Sequence, residues 1–335
     1  MNISRLLCAA VALASSTLGL HAQSASRQWV VYEGKDGPGK GKHVVFLSGD
    51  EEYRSEQGLP QLAKILAERH GFKCTVLFSV DSKTGEIDPG TKNNEPGMEA
   101  MDSADACVML LRFREWPDEQ MKHFVDYVNA GKPIIGLRTA THAFAYGKDS
   151  TSAYAKYSWN GKGEWPGGFG KQILGETWVN HHGAHMKEAT RAVVEPGAEN
   201  DPLLRGVTDV FCTTDVYGVN PPADAKILLR GQVLSGMQPT DPPVDGKKND
   251  PMQPVAWTRA WTGPSGKPSK ILTTTMGAAS DLVNEGLRRL IVNGVYWGVG
   301  LDVPAKADVT PVGDFKPDFY GAGKHVRNVK PADLQ

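Results

Sequence analysis

Residues 132–144, KPIIGLRTATHAF, decide the fold of this chain. The first half is a short apolar run preceded by Gly131, which is typical of a parallel strand that is buried on both faces. The second half is small and polar, so we expect a sharp turn into a helix that Thr139 or Thr141 caps. Ligands of open α/β sheets bind outside the carboxyl ends of the strands, and this turn therefore predicts a functional crevice.

Apolar runs and helical patterns alternate on the amino-terminal side of this stretch. Residues 43–48, 72–78 and 105–111 predict strands, and residues 59–66 and 121–128 carry apolar side chains at helical spacing. This order predicts an α/β domain with a mainly parallel sheet and helices on both faces. Three later runs have links too short for crossover helices and predict added antiparallel strands, at residues 225–233, 254–261 and 270–275.

The beginning of the chain has the pattern of an export signal. Arg5 precedes an apolar stretch, residues 6–20, that is too short to span a bilayer comfortably. We expect cleavage after Ala22, which would make residues 1–22 a signal peptide and the mature protein periplasmic or secreted, with no membrane partner. The formal net charge is −1 and the basic residues are scattered, so we expect no nucleic-acid partner either.

Three cysteines follow the expected cleavage site. Cys74, Cys107 and Cys212 form no close Cys/His metal spacing, and their number is odd. Two of them lie in predicted core strands, where a thiol behaves as a small hydrophobic group. We therefore expect free thiols and no disulfide.

Charged residues follow the predicted strands at their carboxyl ends, where the crevice should lie. An arginine fork suits an anionic or carbonyl oxygen, carboxylates suit the hydroxyls of a sugar, and Trp stacks on a sugar face. The alternatives are a solvated acidic loop, a structural ion pair for Arg112, and Trp as a core filler. The candidate substrate-binding residues are Asp50, Glu51, Glu52, Arg54, Arg112, Arg138, Thr139, Trp178, Asp215 and Tyr217.

Histidines carry the strongest chemical signal. His182 and His185 are three residues apart, and their rings would converge on one metal or one substrate if the segment turns. His181 is a weaker candidate because adjacent side chains diverge. His142 lies just past the turn, where its ring either faces the crevice or packs beneath it. We take His142, His182 and His185 as candidate catalytic residues and the last two as candidate ligands of a divalent metal such as zinc.

These blocks together resemble the ThuA-like (trehalose-utilisation) family of the class I glutamine amidotransferase-like superfamily. The resemblance covers residues 43–300 and rests on the order of GDEEYR, GLRTATHAF, HHGAH, NDPLLRGV and PVAWTR. It implies a flavodoxin-like sheet with insertions. The Pro- and Gly-rich composition of the tail predicts a C-terminal extension, residues 301–335, that wraps the surface. Arg138 stands where amidotransferases carry a Cys nucleophile. Because arginine remains protonated and has no acceptor, glutamine hydrolysis is excluded.

The resemblance also implies a role in carbohydrate utilisation. Its association with oxidised sugars predicts an exported enzyme that acts on keto sugars or their glycosides by acid/base chemistry, as an isomerase or a lyase. Two alternatives stay open: a non-catalytic sugar-binding module and a metal-dependent hydrolase. The expected partner is a small-molecule carbohydrate, and assembly into a homo-oligomer is left open.

Overall fold

The computed structural model describes residues 27–335, so the predicted signal peptide and its cleavage site lie outside the described residues. Within that range the strands are β1 (Trp29–Tyr32), β2 (His43–Gly49), β3 (Lys73–Phe78), β4 (Ala106–Leu111), β5 (Ile134–Leu137), β6 (Asn180–His181), β7 (Thr190–Val194), β8 (Phe211–Cys212), β9 (Tyr217–Gly218), β10 (Lys226–Val233), β11 (Gln253–Thr262) and β12 (Pro268–Thr274). The α-helices are α1 (Ser55–His70), α2 (Ala100–Ser103), α3 (Asp118–Asn129) and α4 (Glu285–Gly298).

Five strands form a parallel block in the order β3-β2-β4-β5-β12. This is the doubly wound 2-1-3-4-5 order, whose switch point lies between β2 and β4. The predicted α/β class is therefore confirmed. One detail is wrong, because β12 was expected to be an antiparallel addition and instead pairs in parallel with β5. Residues 138–267 make that long crossover and carry β6 to β11 as an insertion.

Antiparallel strands extend the block on both sides. At one edge β1 pairs with β3, and no strand was predicted from the sequence at the position of β1. At the other edge β11, β10, β7 and β8 follow β12 in a ten-stranded sheet. β6 and β9 form a separate two-stranded ribbon, and this ribbon carries part of the candidate site.

The two faces of the sheet hold two apolar cores. α1 and α4 pack on one face, where Leu62 and Leu290 join Phe46 of β2. On the opposite face α3 packs through Phe124 against Met109 of β4. Side chains of successive strand residues point to opposite faces, so the continuous apolar runs supply both cores. The three cysteines in the described residues are buried and free, which agrees with the expectation from the sequence.

The turn after β5 differs from the expected helix. Residues Arg138–His142 form one short 3-10 turn, with Arg138 at a φ of 37°. The chain then leaves the turn in extended form, because Arg114 N–H donates to Ala143 O and Ala145 N–H donates to Arg114 O. Thr139 caps no helix, since its hydroxyl donates to Asp50. This pairing with the segment after β4 takes the place of helix formation.

Residues 301–335 run along α1 and β1. Tyr32 donates its hydroxyl proton to Leu334 O at 2.6 Å, and Arg54 donates to Phe319 O through Nε and Nη2 at 3.2 Å each. These contacts join the end of the chain to its beginning. Among the described residues, the helices are all too short or too polar to cross a membrane.

Candidate functional site

His181, His185 and Asp215 meet at the carboxyl edge of the parallel strands, against Glu52, which follows β2, and Arg138, which follows β5. Their candidate ligand atoms all lie within 4.8 Å of one another. His181 Nδ1 is 2.7 Å from Asp215 Oδ2, and His185 Nδ1 is 2.9 Å from Asp215 Oδ1. The ribbon explains the meeting, because His181 in β6 stands opposite Tyr217 in β9, two residues beyond Asp215. We call these three residues the His/Asp cluster.

His182 lies apart from this cluster, and the expected pairing of His182 with His185 is corrected to His181 with His185. His182 Nε2 is 2.9 Å from Lys248 O, and its backbone N–H donates to Val216 O. Side chains that follow one another in an extended segment point in opposite directions. Since His181 faces Asp215, its neighbour is turned away.

Arg138 lies beneath the cluster and is fully buried, which corrects its expected role as a ligand anchor. Its guanidinium is stacked between the rings of Tyr53 and Tyr217, at 4.3 and 4.2 Å from their centroids. It donates to Tyr53 Oη, Thr275 O, Asp215 O and Asp215 Oδ1. The Arg138 guanidinium was expected to bind a substrate oxygen, but it binds Asp215 and fixes its position.

Asp215 is ionised by these contacts. Burial by itself would raise the pKa of Asp215, but the Arg138 guanidinium and hydrogen bonds from His181 and His185 hold it well below its usual range. An opposite charge and donated hydrogen bonds both favour the carboxylate. Asp215 is thus a permanent anion against the two imidazoles.

Glu52 contacts the far side of His185. Glu52 Oε1 is 3.0 Å from His185 Nε2, while Glu52 Oε2 accepts from Arg112 Nη1 at 2.7 Å. Hydrogen bonds to Asp215 and then to Glu52 raise the pKa of His185 to about 9. With no metal, His185 is therefore an imidazolium at neutral pH.

Other expected substrate-binding residues serve the loop that follows β2. Asp50 is buried and accepts from the backbone N–H of Glu52 and Tyr53 and from the Thr139 hydroxyl. Burial, and then the nearby Glu51 carboxylate, raise the pKa of Asp50 to about 6. The Asp50 carboxylate therefore stabilises the conformation of the loop after β2. Asp50 and Thr139 are buried and bonded to each other, so they are not available to a substrate.

Two more arginines were expected to bind substrate. Arg54 donates two hydrogen bonds to Phe319 O and so anchors the C-terminal extension. Arg112 keeps 22% of its side chain exposed and pairs with Glu51 Oε1 at 3.1 Å as well as with Glu52. Of the two, only Arg112 combines partial exposure with contact to a residue that touches the cluster, Glu52.

His142 is buried in an aromatic pocket next to the cluster. Its ring centroid lies 5.9 Å from that of Trp178 and 6.3 Å from that of Tyr217, and Phe113 and Trp159 are also close. Burial, and then the positive charges of Arg112 and Arg138, hold the pKa of His142 well below its usual range. His142 is therefore neutral, with Nδ1 3.1 Å from the Thr141 hydroxyl.

Trp178 connects the two parts of the site, because its ring also lies 5.8 Å from that of His181. Trp159 stands behind it, at 5.9 Å. The structure thus brings His142, Trp178 and Tyr217 to the His/Asp cluster as one site. A separate cavity of about 720 Å³ lies near Lys92, and none of the residues of this site lines it.

Sequence reasoning missed Tyr53 and Tyr320 and ranked His181 too low. Tyr320 comes from the C-terminal extension, and its ring lies 5.7 Å from that of His185. Nothing in the sequence around Tyr320 signals this contact. Because side chains alternate along a strand, the sequence indicated that only one of His181 and His182 would face the site. Which of the two it is depends on the face that the ribbon turns toward Asp215.

The ThuA family model, described as trehalose utilisation, matches residues 42–298. The chain belongs to the ThuA family. Every residue of the His/Asp cluster, together with His142 and Trp178, lies within the matched region. Tyr320 lies beyond it. The family's role in carbohydrate utilisation therefore applies to the domain that carries the site.

Comparison with solved structures finds matches of low sequence identity and low TM-score. A ThuA-like protein from Bacteroides uniformis is 14% identical with a TM-score of 0.48, covering 80% of this chain and 94% of that one. One from Parabacteroides merdae is 12% identical with a TM-score of 0.48, covering 85% and 95%. A glutaminase domain of Trypanosoma brucei CTPS is 12% identical with a TM-score of 0.39, covering 81% and 99%. A search of the curated proteins finds no match.

Proposed function

We propose that this protein is an exported, metal-dependent enzyme of carbohydrate utilisation that acts on oxidised (keto) sugars or their glycosides. One observation carries the proposal: His181, His185 and Asp215 offer three ligand atoms within 4.8 Å of one another, next to the neutral His142. Two imidazoles and one carboxylate, with room for a further ligand, are the donor set of catalytic zinc sites. His181 is exposed, which leaves a side of the cluster open.

The residues around the cluster suit a divalent ion. Glu52 accepts a hydrogen bond from His185 Nε2, which would leave the Nδ1 lone pair of His185 for the metal. Arg138 fixes the Asp215 carboxylate from beneath. Ligand atoms that share a tetrahedral ion at about 2.0–2.1 Å stand roughly 3.3 Å apart. The nitrogen–oxygen distances of 2.7 and 2.9 Å must therefore open slightly as an ion enters.

Proton removal next to a carbonyl needs a base and a stabiliser for the enediolate oxygen. A bound divalent ion supplies the stabiliser as a Lewis acid. His142 is unprotonated at neutral pH, so its imidazole accepts the proton. Trp178 lies between His142 and His181 and offers a ring face on which the sugar stacks. Arg112, at the reachable side, donates to a substrate hydroxyl.

Metal analysis tests the first half of the proposal. Protein purified without a His tag is expected to bind one Zn²⁺ or Mn²⁺ per chain, measured by elemental analysis and titration calorimetry. His181→Ala and Asp215→Asn should each abolish binding, whereas His182→Ala serves as the matched control and should bind normally. If His182→Ala loses the metal and His181→Ala keeps it, the assignment of the cluster is wrong.

Proton exchange tests the second half. In D₂O the metal-loaded enzyme should incorporate deuterium next to the carbonyl of a keto sugar, and the apoprotein should not. Stable binding of the keto sugar without exchange or turnover would instead favour a sugar-binding module. Incorporation of ¹⁸O from water into a cleaved glycoside, without deuterium exchange, would favour a metal-dependent hydrolase.

Export is supported by the charged and apolar pattern of residues 1–22 alone. Expression of the full chain, followed by amino-terminal sequencing of protein recovered outside the cytoplasm, should find Gln23 as the first residue. Full-length protein confined to the cytoplasm would contradict this part of the proposal.

A further inference from the structure

Thr141 lies between two hydrogen-bonding partners in the turn after β5, and its hydroxyl has a single proton. Thr141 Oγ1 is 3.2 Å from Arg138 O and 3.1 Å from His142 Nδ1. Threonine often bonds in this way to the carbonyl three residues earlier in the chain. The Thr141 side chain is buried, so water does not compete for the hydroxyl.

The donor and acceptor roles of these three groups follow from the number of protons. A carbonyl oxygen has none, so in the contact with Arg138 O the Thr141 hydroxyl must donate. The hydroxyl then has only lone pairs left, and it bonds to His142 Nδ1 only by accepting a proton from it. Both contacts are therefore hydrogen bonds in one arrangement alone. In that arrangement the proton of the neutral imidazole is on Nδ1 and the lone pair is on Nε2.

The His142 ring has few other contacts that could select its tautomer. Phe113 N–H donates to His142 O at 3.1 Å and fixes the backbone, and the ring centroids of Phe113 and Trp178 lie 5.2 and 5.9 Å from that of His142. Within residues 27–335 the Thr141 hydroxyl is the one hydrogen-bond partner of the imidazole. The aromatic walls hold the ring in place, and Thr141 decides which nitrogen is protonated.

His142 Nε2 is available to a ligand. In the part of the chain that the structure describes, this nitrogen makes no hydrogen bond, yet it is not one of the polar atoms there that are enclosed without a partner. The 3% of the His142 surface that stays exposed is therefore of use. A base needs its lone pair at an atom that the substrate reaches, and Nε2 meets this condition.

We propose that Thr141 is a positioning residue whose hydroxyl fixes the tautomer of His142, so that Nε2 is the atom that accepts the proton of the substrate. The proposal rests on the proposed function, which names His142 as the base but not the nitrogen or what selects it. The C–H bond next to the carbonyl breaks, its proton joins Nε2, and its electron pair moves into the enediolate. The imidazolium that forms keeps its hydrogen bond from Nδ1 to Thr141. In the other tautomer Nε2 already carries a proton and has no lone pair to offer.

The tautomer is measured by ¹⁵N NMR of histidine-labelled protein, because protonated and unprotonated ring nitrogens have well-separated chemical shifts. With the His142 signals assigned through His142→Gln, the parent protein should carry the proton on Nδ1. Thr141→Val leaves that buried N–H without an acceptor, so the tautomer ratio should shift toward Nε2–H by about tenfold to a hundredfold. In the deuterium exchange of the keto sugar, kcat should fall in proportion to the fraction of molecules that keep the proton on Nδ1. KM and Zn²⁺ content should not change.

Two further variants complete the test. Thr141→Ser keeps the hydroxyl and should restore both the tautomer and the exchange rate. Thr75→Val is the matched control, because Thr75 is also buried and its Oγ1 is 2.8 Å from a ring nitrogen, His43 Nε2. His43 begins β2 and so lies at the opposite edge of the sheet from the site. The control variant should therefore leave the His142 signals and the exchange rate as they are in the parent.

A proton on His142 Nε2 in the parent protein would overturn the proposal, and so would His142 signals that Thr141→Val leaves unchanged. A shifted tautomer with an undiminished exchange rate would show that Nε2 is not the base, which also overturns it. Thr141→Ala replaces Thr141→Val if that variant does not fold, and the parent spectrum decides the tautomer in either case. If the metal-loaded parent has the expected tautomer but exchanges no deuterium, the proposed function fails and Thr141 is left with the selection of the tautomer alone.

Discussion

Arg138→Lys is the substitution that best tests the reasoning about the site. The change keeps the positive charge but replaces a planar fork by a single ammonium. Arg138 donates four hydrogen bonds to three residues and is stacked between two tyrosine rings. Lysine cannot reproduce this geometry, so part of the buried polar network is left unpaired.

The expected cost can be worked from these contacts. Loss of two buried hydrogen bonds costs about 2 kcal/mol, and loss of the stacked guanidinium about 1 kcal/mol more. We therefore expect Arg138→Lys to lower the free energy of unfolding by about 3 kcal/mol. Since the unfolding entropy is about 2.1 cal/mol/K per residue, a chain of this size should show a fall in Tm of roughly 4–5 °C. Removal of the charge, as in Arg138→Met, should cost about 3–5 kcal/mol because the buried Asp215 carboxylate loses its guanidinium partner and keeps only the two histidines.

The assay is thermal and urea unfolding together with metal titration. Because Arg138 positions Asp215, Arg138→Lys should also weaken Zn²⁺ binding, by about tenfold. Arg191→Lys is the control: Arg191 also donates to several oxygens, but it is partly exposed and away from the cluster, so we expect a change under about 1 kcal/mol. A Tm within 2 °C of the parent would refute a structural role for the guanidinium. A large fall in Tm with unchanged metal affinity would refute its role in positioning Asp215.

Three further predictions concern a buried carboxyl group, the proposed base and the thiols. Burial raises the pKa of Glu56 from 4.5 to about 7, so the folded protein binds this proton more tightly than the unfolded chain does. Stability should therefore fall by about 3 kcal/mol as the pH rises from 4.5 to 7. Glu56→Gln should reduce the difference between the free energies of unfolding measured in urea at pH 5 and pH 8. An unchanged difference would show that Glu56 is not its cause. His142→Gln should lower kcat by about 10²–10⁴-fold with unchanged Zn²⁺ content, and undiminished exchange would remove His142 as the base. The native protein should not react with a thiol reagent because its described cysteines are buried, and after denaturation three thiols should react; a fourth would mean that Cys8 is retained with residues 1–22.

Local patterns in the sequence were enough to predict four of the five strands of the parallel block, all except β12. β2, β4 and β5 are continuous apolar runs, and such runs have one stable position, between two layers of helices. Strands in one parallel sheet place their carboxyl ends at one edge, so the charged residues that follow β2 and β4 had to lie near one another. The contact of Arg112 with Glu52 is the result. The region of the site was therefore predictable from strand order.

The roles of individual side chains were decided by the tertiary structure. Arg138 looked like a ligand anchor because it follows a strand, yet residues more than 70 positions away in sequence supply Asp215 and Thr275 and bury it. The choice between His181 and His182 depends on which face of β6 meets β9, and no local pattern contains that pairing. Tyr320 reaches His185 only because the end of the chain returns across α1.

The protonation states of the histidines could not be predicted from the sequence either. A pKa depends on burial and on charges within a few ångströms, and these come from segments far apart in the chain. His142 and His185 have the same side chain, but burial beside two arginines keeps the first neutral, while two carboxylates keep the second protonated. The sequence by itself determined that histidines and carboxylates would gather at one edge of the sheet. Only the packed structure decided which of them face one another, because side-chain direction and electrostatic environment are properties of contacts between distant segments.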